Sequence, residues 1–209
     1  RIEGERMTAP AGAGLTALCA MARDAGLTGL EFACGIPGSL GGALYMNAGA
    51  YGGEMKDVVE TVTCLTPEGT VETRTADELA FGYRTSVFEQ DGSCVLSATL
   101  RLAHGDKAAI RARMAELLAK RREKQPLEWP SAGSTFKRPQ GAFAAALIEQ
   151  CGLKGLQVGG AAVSRKHSGF VVNLGGATCA DVIALTEQVI RVVKEKTGYT
   201  LEREIRVVK

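Results

Sequence analysis

The amino-acid sequence of 209 residues predicts a chain of mixed α and β structure. Segments with apolar residues at helical spacing alternate along it with short β-branched runs. Glycine is unusually frequent: it makes up 26 of the 209 residues, or about 12%, against an average near 7%. It is concentrated in the first third of the chain. We therefore expect helices and strands that carry several glycine-rich loops.

Four segments have the apolar spacing of amphipathic helices. The first lies between Gly12 and Gly26, and a glycine directly after the last periodic residue is a typical helix stop. The other predicted helices are Asp106–Lys124, Ala142–Cys151 and Cys179–Thr197. Between the first and second helices, the glycine-rich stretch 35–53 has no periodicity and predicts a loop with short helical pieces.

Five segments have the composition of β-strands. Val58–Leu65 and Thr70–Arg74 flank the turn Pro67-Glu68-Gly69 and predict a hairpin. The remaining predicted strands are Cys94–Leu102, Phe170–Leu174 and Leu201–Val208. We place a domain boundary near His104-Gly105-Asp106, where strand patterns give way to a long helical one.

Composition excludes several classes of function. The net charge is +2, from 25 basic and 23 acidic residues, which argues against a general binder of polyanions. Aromatic residues are only 5%, too few for a base-stacking surface, and no stretch approaches the roughly 20 apolar residues of a membrane span. We expect neither nucleic acid nor a membrane as a partner.

Metal-ligating residues are sparse. The two histidines, His104 and His167, are far apart in sequence, and the six cysteines include no CxxC pair. This pattern predicts no metal site, and it predicts reduced, mostly buried thiols of a cytosolic protein.

The loop Gly35–Gly42 is the first candidate site. Its glycines would let backbone N–H groups approach a phosphate closely. The loop lacks the GK[ST] ending of a P-loop and the spacing of a dinucleotide-binding GxGxxG. A tight structural turn is the alternative interpretation, and the residues alone leave both open.

Three further segments carry candidate side chains, each with a plain structural alternative. The segment Pro130–Lys137 suits a positioned proton donor or an anion site, or else a turn or helix cap. Arg84, between small and aromatic residues, suits a carboxylate clamp or a surface salt bridge. The run Lys120-Arg121-Arg122-Glu123-Lys124 suits a diphosphate or a solvated helix face. Spacing alone does not single out Glu204.

Six segments in order resemble the UDP-N-acetylenolpyruvoylglucosamine reductase (MurB) family. They are Gly35–Glu54, Tyr83–Ser86, Pro130–Lys137, Val158–Phe170, Asn173–Ile183 and Leu201–Val207. The resemblance implies an α+β fold: residues 1–104 would be the C-terminal part of a vanillyl-alcohol-oxidase/PCMH-type FAD-binding domain, and residues 105–209 an α+β substrate-binding domain. It further implies the shorter family type, because little room lies between Arg84 and Ser134, and a chain that lacks the N-terminal part of the FAD domain.

The resemblance also implies an activity. The family uses FAD and NADPH to reduce the enolpyruvyl group of UDP-N-acetylglucosamine enolpyruvate, giving UDP-N-acetylmuramate for peptidoglycan in the bacterial cytoplasm. We expect a monomer. The alternative is that this chain is a non-catalytic UDP-sugar-binding fragment with weak or no FAD binding.

Site residues follow from the same resemblance. Arg84 would bind the substrate carboxylate, Ser134 would donate a proton, and Glu204 would complete the electrostatics. The residues expected along FAD are Gly35, Ile36, Pro37, Gly38, Ser39, Gly41, Gly42, Asn47, Gly49, Ala50 and Tyr51. The residues expected at the substrate are Tyr83, Arg84, Arg122, Lys124, Ser134 and Arg138, the last of which departs from the asparagine of longer members.

Overall fold

The computed structural model describes residues 1–208, which form two compact units. The first unit is Arg1–Arg121 and the second begins at Arg122. The predicted boundary near His104-Gly105-Asp106 therefore lies inside the first unit. The reason is that the following helix buries Ile110 and Met114 in the core of the first unit. What each part of the chain binds stays a prediction.

The first unit is built on antiparallel strands. Its elements are β1 (Ile2–Glu3), β2 (Arg6–Pro10), α1 (Leu15–Ala25), β3 (Leu27–Thr28), α2 (Leu40–Tyr45), β4 (Gly49–Ala50), β5 (Gly53–Glu54), β6 (Val59–Leu65), β7 (Val71–Thr75), α3 (Val87–Asp91), β8 (Cys94–Arg101), β9 (Ala103–His104) and α4 (Lys107–Lys124). Five strands form one sheet in the order β1-β2-β8-β6-β7, and β3 with β9 and β4 with β5 form two small pairs. Short 3-10 turns occupy Glu31–Ala33, Met55–Asp57 and Ala76–Leu79.

Alternating side chains explain the sheet of the first unit. On β6, Val62 and Cys64 are fully buried, and on the neighbouring β8, Leu100 is fully buried. These side chains share one face, as the period of two in a strand requires. Against this face lies a core to which α1 contributes its apolar stripe, and α1 ends where Gly26 adopts the left-handed conformation (φ 75°).

The second unit is a smaller sheet with two helices. Its elements are β10 (Ser131–Ser134), α5 (Ala144–Gln150), β11 (Gln157–Val158), β12 (Ala161–Val163), β13 (Phe170–Asn173) and α6 (Cys179–Thr197). The strands are antiparallel in the order β10-β13-β12-β11. At the start of α6, the side chains of Thr178 and Asp181 each accept a hydrogen bond from the other's backbone N–H, and Gly198 closes the helix.

Most predicted elements are confirmed. The four helices, the hairpin of β6 and β7, and the strands β8 and β13 lie at the predicted places. The predicted strand Leu201–Val208 is wrong: this segment makes only one isolated bridge, between Arg203 and Phe136. Two backbone hydrogen bonds flank that bridge, from Lys137 N to Glu202 O and from Glu204 N to Thr135 O, which is too few for a strand.

The cysteines of residues 1–208 form no disulfide. All six cysteines are free thiols and four of them are buried. Burial raises the pKa of the Cys19 thiol to about 12. No described helix has the length and apolar character needed to cross a membrane, and the described residues contain no metal-binding group of three or more His, Cys, Asp or Glu.

Truncation of Leu185 would test how the core of the second unit is packed. This residue lies on α6 and is fully buried, so Leu185→Ala should lower the free energy of unfolding by about 2–5 kcal/mol. Denaturant unfolding monitored by circular dichroism would measure this. Lys194→Ala, at an exposed position of the same helix, is the matched control and should change stability by less than about 0.5 kcal/mol. Equal effects of the two substitutions would contradict the packing described.

Candidate functional site

The loop 35–42 is anchored at its second half. Leu40 N and Gly41 N donate to Ala13 O and Ala11 O, at 2.9 and 2.8 Å. The Ser39 hydroxyl caps α2 by accepting from Gly42 N at 3.3 Å. Gly41 also lies close to Ala11, since a Cβ built on it would be 3.0 Å from the Ala11 Cβ. The second half of the loop therefore supports its interpretation as a structural turn.

The middle of the loop is open. Gly38 has φ +125°, and no atom lies within 4 Å of the position that a Cβ would occupy on it. Among the described residues, the backbone N–H groups of Gly38 and Ser39 have no hydrogen-bond partner. Pro37 is exposed and Ile36 is half-buried against the core of the first unit. The loop therefore has two backbone N–H donors without a partner in the described chain, one of them at an open glycine.

Gly35 has a different role. A Cβ built on it would lie 2.9 Å from Leu118 Cδ2 and 3.1 Å from Arg121 Cδ, both on α4. Its φ of +78° also disfavours other residues. The bare α-carbon therefore lets the start of the loop pack directly on α4.

Asn47 is completely buried, and its side chain connects three segments of the chain: its own, the segment of Glu54 and Lys56, and the segment of Gly82. Its Nδ2 donates to Glu54 Oε2 at 2.6 Å and to Gly82 O at 2.9 Å, and its Oδ1 accepts from Lys56 N at 3.0 Å. Both amide protons are used within the protein. The contact with FAD that is predicted for Asn47 can therefore involve only its backbone. Its side chain instead positions the turn that follows Gly82.

That turn carries Arg84. The backbone of Gly82 pairs with that of Thr85 across the turn, and Arg84 has φ +57°, a left-handed conformation rare for arginine. Its Nη2 donates to Gly49 O at 3.3 Å, and its guanidinium lies 5.3 Å from the ring of exposed Tyr83. Just beyond, buried Ser86 donates its hydroxyl to Tyr45 O at 2.8 Å. The turn is therefore fixed at both ends, with strain at Arg84 itself.

Tyr51 lies at the tip of the β4–β5 pair and covers a buried arginine. The guanidinium carbon of Arg121 is 5.3 Å from the Tyr51 ring centre, within range of a cation–π interaction. Tyr51 also lines a cavity of about 400 Å³, together with Phe32 and Leu117. Gly49 and Ala50 form β4, where Gly49 packs so tightly on Glu54 that a Cβ would lie 2.8 Å from the Glu54 Cβ.

In the second unit, the chain segments that carry Ser134 and Glu204 are hydrogen-bonded neighbours. Ser134 is the last residue of β10 and pairs with Phe170. The next residue, Thr135, is buried and accepts from Glu204 N at 2.9 Å through its carbonyl. Its hydroxyl accepts from Val171 N at 2.9 Å. Folding thus places one chain segment between β13 and the segment that carries half-buried Glu204.

The basic side chains that were predicted to bind the substrate lie in different surroundings. Arg122 and Lys124 are exposed, and Arg122 O accepts from Lys166 Nζ at 2.8 Å. Arg138 is exposed, and its guanidinium lies 4.6 Å from the ring centre of Phe143.

Comparisons with known proteins agree with this architecture. Residues 1–74 match a family model described as an FAD binding domain, and residues 125–208 match one described as UDP-N-acetylenolpyruvoylglucosamine reductase, C-terminal domain. A reductase of that name from Lactiplantibacillus plantarum is 52% identical over 98% of this chain and 68% of the relative. The chain belongs to the UDP-N-acetylenolpyruvoylglucosamine reductase family. This confirms the predicted family and fold class.

Two further relatives show how much of a reductase the chain represents. The reductase of Lachnoclostridium phytofermentans is 52% identical over 99% of this chain and 66% of its own length. The crystal structure of the reductase from Thermus caldophilus superposes with a TM-score of 0.86 at 40% identity, covering 98% of this chain and 73% of that one. The chain thus spans about two thirds of the length of the relatives that it matches.

The residues of the first unit fit an anionic dinucleotide such as FAD. Two N–H donors of the loop 35–42 and two buried donor atoms of Arg121, Nε and Nη2, have no partner in the described chain. The sequence suggested the whole basic run for a diphosphate, and Arg122 and Lys124, but not Arg121, were singled out from it. The signal was available, because Arg121 continues the buried stripe of Ile110, Met114 and Leu117 on α4.

Asn47→Asp tests the junction of the three segments. It puts a carboxylate opposite Glu54 Oε2 and Gly82 O, where two donors were needed, and should lower the free energy of unfolding by about 3 kcal/mol at neutral pH. Lower pH should reduce the loss, because burial raises the pKa of the new carboxyl and the protonated form regains a donor.

The double variant Asn47→Asp/Glu54→Gln is the control for this prediction. The glutamine amide can donate to the new carboxylate and should restore part of the lost stability. Urea unfolding of the three proteins at several pH values gives the comparison. A single variant as stable as the wild type would rule out the described role of Asn47.

Proposed function

We propose that this chain carries the catalytic and cofactor-binding residues of an NADPH-dependent reductase of the enolpyruvyl group of UDP-N-acetylglucosamine enolpyruvate. The observation that carries the proposal is the identity of about half of all residues to reductases of that name over nearly the whole chain. The setting proposed is that of the family, a monomer in the bacterial cytoplasm that acts in peptidoglycan precursor synthesis.

Arg84 is proposed to bind the substrate carboxylate. The glycine-rich loop 35–42 would hold FAD, which would supply the hydride for the enolpyruvyl methylene carbon, with NADPH as the reductant. Negative charge then develops on the neighbouring carbon and its carboxylate, and a planar guanidinium stabilises such a charge with two parallel donors. The support in the first unit is that Arg84 is held at a strained turn by Asn47 and Ser86.

Ser134 is proposed to donate the proton that completes the reduction. The proton adds to the carbon that carries the carboxylate, so one hydride and one proton convert the enolpyruvyl double bond into the lactyl ether. A serine hydroxyl is a weak acid in water, and its use requires close placement. The backbone bond from Glu204 N to Thr135 O supports a role for Glu204 beside Ser134, in the electrostatics or the proton path.

Visible absorption of the purified chain tests the proposed function. Added FAD should give a bound-flavin band that bleaches with NADPH and recovers when the enolpyruvyl UDP-sugar is added. A chain that binds UDP-sugar but no flavin would instead be the non-catalytic fragment. A band that bleaches yet never recovers with this substrate would point to another flavoprotein activity.

Ser134→Ala separates the two half-reactions. Flavin reduction by NADPH should keep its rate, whereas reoxidation by the enolpyruvyl substrate should slow by about 10²- to 10⁴-fold, because only the second step needs the proton. Stopped-flow absorbance measures both rates. Ser131→Ala, on the same strand and also exposed, is the matched control and should leave both rates unchanged. Equal loss in both half-reactions would contradict the proton-donor role.

A further inference from the structure

The guanidinium of Arg121 is buried without an acceptor. The residue is only 7% exposed, and neither Nε nor Nη2 has a hydrogen-bond partner in the described chain. Leaving buried charged donors unpaired costs free energy, and native structures rarely tolerate it without a reason. The identified neighbours are the ring of Tyr51, the bare α-carbon of Gly35, the Cys34 thiol and the helix α4 itself. Burial raises the pKa of the Cys34 thiol, so none of these supplies an oxyanion at neutral pH.

The two unpaired atoms lie on one edge of the guanidinium plane. Elsewhere in this protein the same edge holds a carboxylate: Arg6 donates from Nε and Nη2 to the two oxygens of Glu60, at 2.7 and 2.8 Å. Arg23 does the same with Asp24, at 2.8 and 3.1 Å. In Arg121 this two-pronged edge is shaped for a group with two oxygen acceptors.

The surroundings of Arg121 are those of the proposed cofactor site. Gly35, at the start of the open loop, packs on the side chain of Arg121, where a Cβ would lie 3.2 Å from Nε. Tyr51 covers the guanidinium from the tip of β4–β5 and also lines the cavity of about 400 Å³. The ring is 39% exposed on a two-residue turn, so a rotation of the ring would displace no core element.

We propose that Arg121 binds a two-oxygen anionic group of FAD through its Nε and Nη2. The acceptor is the diphosphate, whose neighbouring oxygens carry the negative charge, and the neutral carbonyl edge of the flavin ring is the alternative that the test separates from it. The inference rests on the proposed function for the identity of the ligand, whereas the anion-binding role rests on the buried unpaired guanidinium alone.

Arg121→Met tests the proposal by binding and by melting temperature. Methionine fills similar space without the charge, so the ligand-free variant should melt at or above the wild-type temperature. Its dissociation constant for FAD, from flavin fluorescence, should rise by about tenfold to a hundredfold. Arg121→Lys keeps the charge without the fork and should give a smaller loss. Arg111→Met, exposed on the same helix, should change neither quantity.

Titrations with pyrophosphate, riboflavin and UDP-N-acetylglucosamine distinguish the sources. Weaker FAD and pyrophosphate binding in Arg121→Met supports the proposal, whereas weaker FAD and riboflavin binding with unchanged pyrophosphate binding would place Arg121 at the flavin ring and overturn it. Unchanged FAD affinity, a loss confined to the UDP-sugar, or a lower melting temperature with every affinity intact would overturn the proposal. Should the wild type bind no flavin, the proposed function fails for this chain. The anion-binding role then stands only if Arg121→Met loses pyrophosphate binding, and it is overturned otherwise.

Discussion

The buried amide of Asn47 is the interaction on which the first unit's candidate site depends. Three hydrogen bonds connect it to Glu54, Lys56 and Gly82. Through Glu54 and Lys56 it fixes the β4–β5 pair that carries Tyr51, and through Gly82 it fixes the turn that carries Arg84. An amide is needed here, because the position requires two donors and one acceptor on a single short side chain. The neighbouring glycines matter because they let these segments approach one another.

Sequence reasoning succeeded where a local pattern decides the structure. The stripe of α6 and the hairpin of β6 and β7 are visible in the order of residues, since each element buries the face that its own periodicity defines. The short β2 gave no such signal, because it has five residues and ends in a proline, yet it lies inside the sheet. The segment after Leu201 has the alternation of a strand but pairs with the chain at one residue only.

The candidate site shows the same division between local and tertiary information. The resemblance supplied Arg84, Ser134 and Glu204, and the fold of the second unit brings the segments of the last two together. No sequence pattern shows that Asn47 uses its whole side chain internally, because its partners come from other turns of the chain. Arg121 was not singled out from the basic run for a related reason: such a run suggests a solvated surface, and only packing shows which of its cations is buried.

Left-handed backbone outside glycine is confined to four residues of the described chain: Asn47, Tyr51, Ala80 and Arg84. Three of these belong to the candidate site, as does the unpaired charge of Arg121. Asn47 is held there by its own three hydrogen bonds, whereas at Tyr51, Arg84 and Arg121 a different residue would relax the ligand-free protein. A laboratory selection for thermal stability alone would therefore tend to replace these residues early. The more stable variants would bind their ligands with lower affinity. Libraries aimed at robustness should keep them fixed and vary the sheet surface instead.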